Sequence, residues 1–463
     1  MGITLLKWGF FLLSVGTVFY YGWKKPSVLI SMLAGAVAFD ISITWFPALG
    51  PFGSLLGSLA RLFTVGVIGA ALWRLWLEPE KRRQLKGILT HFLTRALMIY
   101  IAVGAISLLY SIGRGNTALE VVRLLTLFLL YLSICLLVEH KHVLLPFQVV
   151  HWVGVLLVPL TLYEGMTRHF IWRGYLALGE IARVNATFVD PNILARYLVL
   201  GIVANFILQY FNTGTKKRVV YFGSLLGLVG ALAITLSRSG VLTLVVVLIM
   251  MCFLIPRQRI IQPIVIMGLI GVVIVAMQPT VWHRLQTFST GFGALDPQRK
   301  YLFQVSWAMF VDHPIFGVGL GGFQKMFLTH YLSYKTYIPY VEGVTVSHTT
   351  LLTIAVELGL IGLAALAWVW VGIIGVLGRL RRAGTRHCTP RGQDEVDSAS
   401  TGRANLDRNR LERYTPGVGY FLWIATVFIS SQSEGRFFED PIIWISMGMM
   451  LYLLGEVGSV EKT

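Results

Sequence analysis

The chain has 463 residues, of which 56% are hydrophobic and only 13% charged, and its formal net charge is +17. A soluble domain usually carries about 25% charged residues, so a chain this apolar cannot cover itself with a solvated surface, and lipid is the solvent that fits. The positive charge does not point to nucleic acid, because many basic residues fall in short loops between apolar runs, where the bias of membrane proteins toward cytoplasmic Lys and Arg places them.

About 20 apolar residues cross the hydrocarbon core as a helix. Applied along the chain, that length predicts thirteen spans, near 3–22, 26–46, 54–76, 89–110, 120–138, 144–163, 192–211, 218–236, 241–255, 260–277, 349–377, 417–430 and 441–456. The first run, Ile3 to Gly22, is followed by Lys24 and Lys25 with no evident cleavage site, and reads as a retained helix rather than a removable leader. With thirteen spans, four further basic clusters fall on the same side as Lys24 and Lys25. They are Lys81 to Lys86, Lys216 to Arg218, Arg257 with Arg259, and Arg379 to Arg391.

The expected fold is an all-α integral membrane protein: a polytopic bundle of about 12–13 transmembrane helices with one large, mostly helical extracytoplasmic loop. It divides into transmembrane helices with short loops at 1–277, the loop at 278–347, and C-terminal helices at 348–463. The last region includes a cytoplasmic linker at 378–415, whose Arg, Ser, Asp and Asn content predicts disorder. Cys135, Cys252 and Cys388 form no CxxC pair or His/Cys cluster, so neither a disulfide framework nor a thiolate metal site is implied.

The loop at 278–347 holds Trp282, Trp307, Phe310, Phe316, Phe323, Tyr331, Tyr334, Tyr337 and Tyr340. Phe303 to Phe310 has helical spacing, and Asp312-His313-Pro314 stops it. Long loops with this composition fold and carry function, which predicts an ordered cap over a cavity on the outer side. Aromatic residues also anchor proteins at the membrane interface, and the sequence leaves both readings open.

Four features meet on the outer side. Arg183 leads into Asn185-Ala186-Thr187-Phe188-Val189-Asp190-Pro191-Asn192; a short turn reads Ser237-Arg238-Ser239-Gly240; Arg299 and Lys300 lead to His313-Pro314-Ile315-Phe316-Gly317-Val318-Gly319; and His348-Thr349 runs into Glu357-Leu358-Gly359-Leu360-Ile361-Gly362.

With these residues the chain resembles the O-antigen ligase and polymerase-like superfamily of bacterial envelope glycosyltransferases, multi-span enzymes of the GT-C class that use lipid-linked donors. The ligase signature is a His, a small polar residue, and a Gly-x-x-Gly after nine more residues. His348, Thr349, Gly359 and Gly362 fit it, with Leu363 where the family often has Gly, Thr or Tyr. The resemblance implies transfer of a glycan from an undecaprenyl-diphosphate-linked donor to an acceptor hydroxyl at the outer face of the bacterial inner membrane. The acceptor would be lipid A core for a ligase, another glycan for a polymerase, or a protein hydroxyl for an oligosaccharyltransferase. It implies direct displacement with inversion, no metal and no cofactor, and its partners are these substrates and membrane lipid.

The residue types suit that chemistry. Guanidinium groups bind phosphate oxygens through two parallel bonds and stay charged, so Arg238 and Arg299, with Arg183 as a third, are candidates to hold a diphosphate. Each is open to the alternative of an ion pair with Asp190, Asp296 or Glu342. A neutral His348 could accept the acceptor's proton, or simply hydrogen bond at a helix end. Glu357, about 14 Å deep in the same helix, is either a functional acid or the partner of a buried Arg such as Arg61. Asp190, Asn192 and Lys300 are supporting candidates. Gly359 and Gly362 are expected to permit close helix packing. Gly317-Val318-Gly319-Leu320-Gly321-Gly322 matches GxGxxG without a βαβ context, leaving open a turn that offers backbone N–H groups to a phosphate or sugar. A membrane carrier is the competing function, though no internal repeat of the kind carriers show is evident.

Overall fold

The structure is a computed structural model that describes residues 2–50, 53–172, 175–176, 182–212, 214–255, 297–332, 347, 349–385, 399–435 and 437–460. The described residues are helical almost throughout. The helices are α1 (Gly2–Lys24), α2 (Pro26–Ala36), α3 (Gly53–Leu56), α4 (Leu59–Leu77), α5 (Pro79–Thr90), α6 (Phe92–Ile106), α7 (Arg114–Leu137) and α8 (Leu145–Thr167). Then follow α9 (Pro191–Phe211), α10 (Thr215–Ile234), α11 (Arg238–Leu254), α12 (Pro297–Asp312), α13 (Phe323–Met326), α14 (Thr350–Thr385), α15 (Ala399–Ser431) and α16 (Pro441–Val460). A two-residue antiparallel pair, β1 (Tyr175–Leu176) with β2 (Ala182–Arg183), sits between α8 and α9.

Among the described residues eight helical stretches are long and apolar enough to cross a membrane, and Pro26–Ala36, Arg238–Leu254 and Pro441–Gly455 are shorter apolar helices. With the C-terminal half of α15, they occupy twelve of the thirteen stretches expected from the sequence; 260–277 lies outside the described residues. The chain is an all-α polytopic membrane protein.

α9 forms the centre, buried over 83% of its apolar window. It packs against α8, α10 and α15. Glycines let these helices approach: a Cβ at Gly154 would meet Leu228 at 3.1 Å. Large aromatics fill the core with their polar tips satisfied, Trp423 Nε1 donating to Leu200 O at 3.0 Å and Tyr420 OH to Val143 O at 2.6 Å. By contrast, Ser14 is the one buried residue of α1, a helix whose apolar side chains suit lipid.

α2 rises only about 16 Å at 1.5 Å per residue, half the hydrocarbon thickness. The chain continues as a 3-10 turn, Asp40–Thr44, whose backbone is satisfied inside the protein: Ile41 N donates to Thr187 O at 3.0 Å, and Thr187 Oγ1 to Ala38 O at 2.6 Å.

The two ends of the bundle differ. At one end lie Lys24, Lys25 and α5, an amphipathic helix with no buried residue. Its Lys81 Nζ donates to Leu136 O at 2.6 Å, and Arg82 donates to Leu75 O and Trp76 O at 2.7 Å each, capping α4. Burial, and then the nearby Arg379, push the pKa of His91 down, which places the basic end of α14 here as well. At the opposite end gather the 38–44 turn, the 185–190 segment and the starts of α9, α11 and α14.

The loop expected at 278–347 is folded where it is described. Tyr301, Leu302, Val305 and Met309 of α12 form a separate apolar cluster with Val318, Phe323, Phe327, Tyr331 and Val356 of α14. α12 ends at Asp312 as the spacing predicted, and a single π turn, Phe327–Tyr331, follows α13. The two readings of the aromatics divide by residue, since Phe323, Phe327 and Tyr331 are core whereas Phe303, Trp307 and Phe316 are exposed. Residues 278–296 and 333–346 lie outside the described residues. Of the stretch 378–415, residues 386–398 lie outside the described residues and the rest is helical. α14 runs to Thr385 and α15 starts at Ala399, because Arg, Ala, Leu and Glu in that stretch are good helix formers.

Candidate functional site

The signature helix α14 is broken at Gly359, whose φ of 64° and ψ of −158° are non-helical. A break at membrane depth strands backbone groups that lipid cannot satisfy. Here the segment 314–319 satisfies them. Val318 N donates to Val356 O at 2.9 Å and Gly319 N to Glu357 O at 2.8 Å, while Leu360 N and Ile361 N donate to Pro314 O and Ile315 O at 2.8 and 3.4 Å. The two motifs, His313 to Gly319 and Glu357 to Gly362, are therefore the two halves of one junction.

The glycine-rich turn completes it. Gly317, Gly319 and Gly321 all have left-handed φ, and a Cβ at Gly317 would overlap the Glu357 backbone. Every N–H from 317 to 323 is used within the protein. Besides the two above, Gly317 donates to His313 O, Leu320 to Ser107 Oγ at 3.0 Å, and Gly322 to Gly319 O. The Glu357 carboxylate accepts the last two, from Gly321 and from Phe323, the latter at 3.4 Å. Tyr110, whose pKa burial pushes up, donates its phenol to Phe316 O at 2.8 Å and ties the α6–α7 turn to the same segment.

Three expectations are corrected. The turn does not hold its N–H groups out for a phosphate, because α14, Glu357, Ser107 and carbonyls of the segment itself consume them. Gly359 does not serve helix packing; it opens the helix. Nor is Glu357 the partner of Arg61, an exposed residue that donates to Gly53 O. Glu357→Ala should accordingly leave two buried donors unmet, at about 1–3 kcal/mol each. The expected result is a lowered thermal midpoint and faster proteolysis within 313–331; unchanged protection there would show that the carboxylate does not hold the turn.

A second cluster forms where α9 and α11 begin. Asp190 caps α9, accepting from Asn192 N at 2.6 Å, with Pro191 at the first helical position. Asn192 Oδ1 accepts from Arg183 Nη2 at 2.9 Å and from Ser237 Oγ at 2.8 Å; Arg183 Nε donates to Thr235 O at 3.2 Å. Ser237 caps α11, receiving Gly240 N at 3.2 Å, so Arg238 is the first residue of that helix and is half-buried. Arg183, Asp190, Asn192 and Arg238 are thus brought together, with Arg183 and Asn192 bonded to each other.

Arg299 and Lys300 stand on α12, half-buried and exposed respectively, beside Tyr301 and Leu302 of the loop cluster. His348 lies outside the described residues. The start of α14 that follows it is fixed by Thr350 Oγ1 donating to Ser431 O at 3.1 Å, and α11 meets the same turn through Thr243 Oγ1 and Ser430 Oγ at 3.3 Å.

Sequence reasoning missed two features of this end. Buried Glu164 closes α8 and straps the following segment, accepting from Ile171 N, Asn185 N and Ala186 N at 2.9, 3.1 and 2.8 Å. Buried Arg196 of α9 pairs with Glu434 at 2.7 Å and Asp440 at 3.1 Å. The signal was available for both: an ionisable residue inside an apolar run.

Residues 222–367 match the family described as O-antigen ligase. No curated protein matches the chain. The matched region begins within α10 and ends within α14 past the break at Gly359, and it contains Arg238, Arg299, His348 and Glu357. Arg183, Asp190, Asn192 and Arg196 precede it.

Proposed function

We propose that the chain transfers a glycan from a polyprenyl-diphosphate donor to an acceptor hydroxyl, with the end of the bundle where α9, α11 and α14 begin facing the outside of the cytoplasmic membrane. The observation that carries this reading is that Arg238, inside the region that matches the O-antigen ligase family, stands beside the bonded pair Arg183–Asn192 contributed from outside it. The basic clusters at the opposite end support the orientation. Three helices start at the proposed donor end, and their positive dipole ends favour an anion.

In this reading Arg238 and Arg299 hold the diphosphate. Arg183, already engaged by Asn192 and Thr235, braces the cluster. His348 takes the proton of the acceptor hydroxyl as its oxygen attacks the anomeric carbon. The bond from that carbon to the phosphate oxygen breaks, and the diphosphate leaves on the polyprenyl chain with inversion at the sugar. The ligase role, with lipid A core as acceptor, is the reading we adopt.

The test uses purified chain in detergent with a polyprenyl-diphosphate glycan, a chelator, and lipid A core, free glycan or a hydroxyl-bearing peptide in separate reactions. The ligase reading expects product with lipid A core alone. Product only with free glycan or peptide would replace it by the polymerase or oligosaccharyltransferase role. Absence of product in all three would remove the transferase reading.

Arg238→Lys should weaken donor binding. A point charge cannot reproduce the two-pronged contact, and losing a charge-assisted bond of about 1.5–3 kcal/mol corresponds to roughly 10- to 100-fold. Parental donor affinity in this variant would assign Arg238 to structure instead.

A further inference from the structure

We infer that the turn between α15 and α16, held by Arg196 through Glu434 and Asp440, is a positioning device that fixes the spacing between the Arg183–Asn192–Ser237 cluster and the first turn of α14. The role in transfer rests on the function proposed above; the geometry does not.

Asn192 and Arg196 are four residues apart on α9 and so share one face of the helix. Asn192 holds the cluster at the start of α11. One turn below it, Arg196 is buried and reaches Glu434 at 2.7 Å and Asp440 at 3.1 Å. The same turn holds α14: Ser431 O accepts from Thr350 Oγ1 at 3.1 Å, and Gln432 Oε1 accepts from Leu351 N at 3.4 Å. Asp440 also caps α16, receiving Ile442 N at 2.9 Å. A third strut reaches α7, where Arg123 joins Glu439 at 2.9 Å and Glu120 at 3.0 Å. Glu120 lies against Gly321 of the junction. The turn and the last residues of α15 therefore touch α9, α14 and α7, and α11 through Thr243 and Ser430.

Energy alone does not explain three charges in such a place. Desolvation commonly offsets the attraction within a buried ion pair, and apolar replacements of similar volume are often as stable. What the arrangement adds is fixed geometry: two carboxylates from the two ends of the turn converge on one planar guanidinium, which locks the turn's width and its register on α9. Arg196 is in this sense a positioning residue, acting on the reaction through α14.

The experiment compares the parent with Arg196→Lys, which keeps the charge and loses the fork, and with Arg196→Met/Glu434→Gln/Asp440→Asn, which removes the charges together. Donor binding is expected to stay within about threefold of the parent, while turnover at saturating donor and acceptor falls by about 100-fold, the scale of a 1 Å misplacement. A purely structural role would lower the thermal midpoint and leave the folded fraction fully active, and that outcome overturns the inference. A second readout is independent of activity. Nitroxide labels at Val189→Cys and Leu351→Cys, both exposed sites, in a background with Cys252 and Cys388 replaced by Ser, report the distance across the two arms. The distribution should be narrow in the parent and broad or displaced in Arg196→Lys. An unchanged distribution overturns the inference even if the parent makes no product, a result that would count against the proposed function alone.

Discussion

Gly359→Val should yield no well-folded protein. The φ and ψ of Gly359, 64° and −158°, lie in a region essentially restricted to glycine, and side chains there cost of order 1–3 kcal/mol. A Cβ would also overlap the Ile315 carbonyl, so the 314–319 segment must move away. Four backbone bonds between that segment and α14 are then lost, each contributing about 0.5–1.5 kcal/mol. The total is a large part of the roughly 5–15 kcal/mol by which a domain is usually stable. Size-exclusion profiles and thermal midpoints in detergent provide the measurement. Gly375→Ala in the same helix is the control: a Cβ there meets nothing within 4 Å, and alanine is the better helix former. If the two variants purify alike, the break is not what holds the junction.

His348→Ala carries the other large effect. With His348 as general base, its loss is expected to slow transfer by about 10²–10⁴-fold at saturating donor, with folding and donor binding retained. The Arg238 variant should differ in kind, losing donor affinity. Parental turnover in His348→Ala would remove the base assignment while leaving the diphosphate assignment standing.

Much of the architecture was legible because lipid imposes a length and an apolar composition on each crossing. Twelve of the thirteen expected stretches are helices, and α12 stops at Asp312-His313-Pro314 as those residues dictate. What the sequence could not display was pairing between distant backbone segments. Gly317 to Gly322 left a phosphate- or sugar-binding turn open because its composition states only that left-handed φ is needed, not which acceptors the N–H groups meet. Glu357 was open to two readings, a functional acid or the partner of a buried Arg, and neither named the main-chain donors it receives, because the sequence does not show what faces a buried carboxylate. Asn192 was visible as a supporting candidate, but its bonds to Arg183 and Ser237 bridge three segments that a linear reading keeps apart. Arg196 stood out as an ionisable residue in an apolar run, but its partner Glu434 lies 238 positions away, a pairing no local pattern displays.

The broken helix α14 also sets an order of assembly. As this helix enters the bilayer, the carbonyls of Val356 and Glu357 and the amides of Leu360 and Ile361 have no partner within it, so partitioning of α14 alone into lipid is penalised. Their partners, residues 314–319, come earlier in the chain and have already been synthesised when α14 emerges. Docking of that segment and insertion of the helix therefore belong to one step of biogenesis. A nascent chain truncated before the segment's arrival at the membrane has nothing to complete, whereas one in which the segment is delayed exposes a polar gap to the translocation machinery. Such a chain is a natural substrate for membrane quality control.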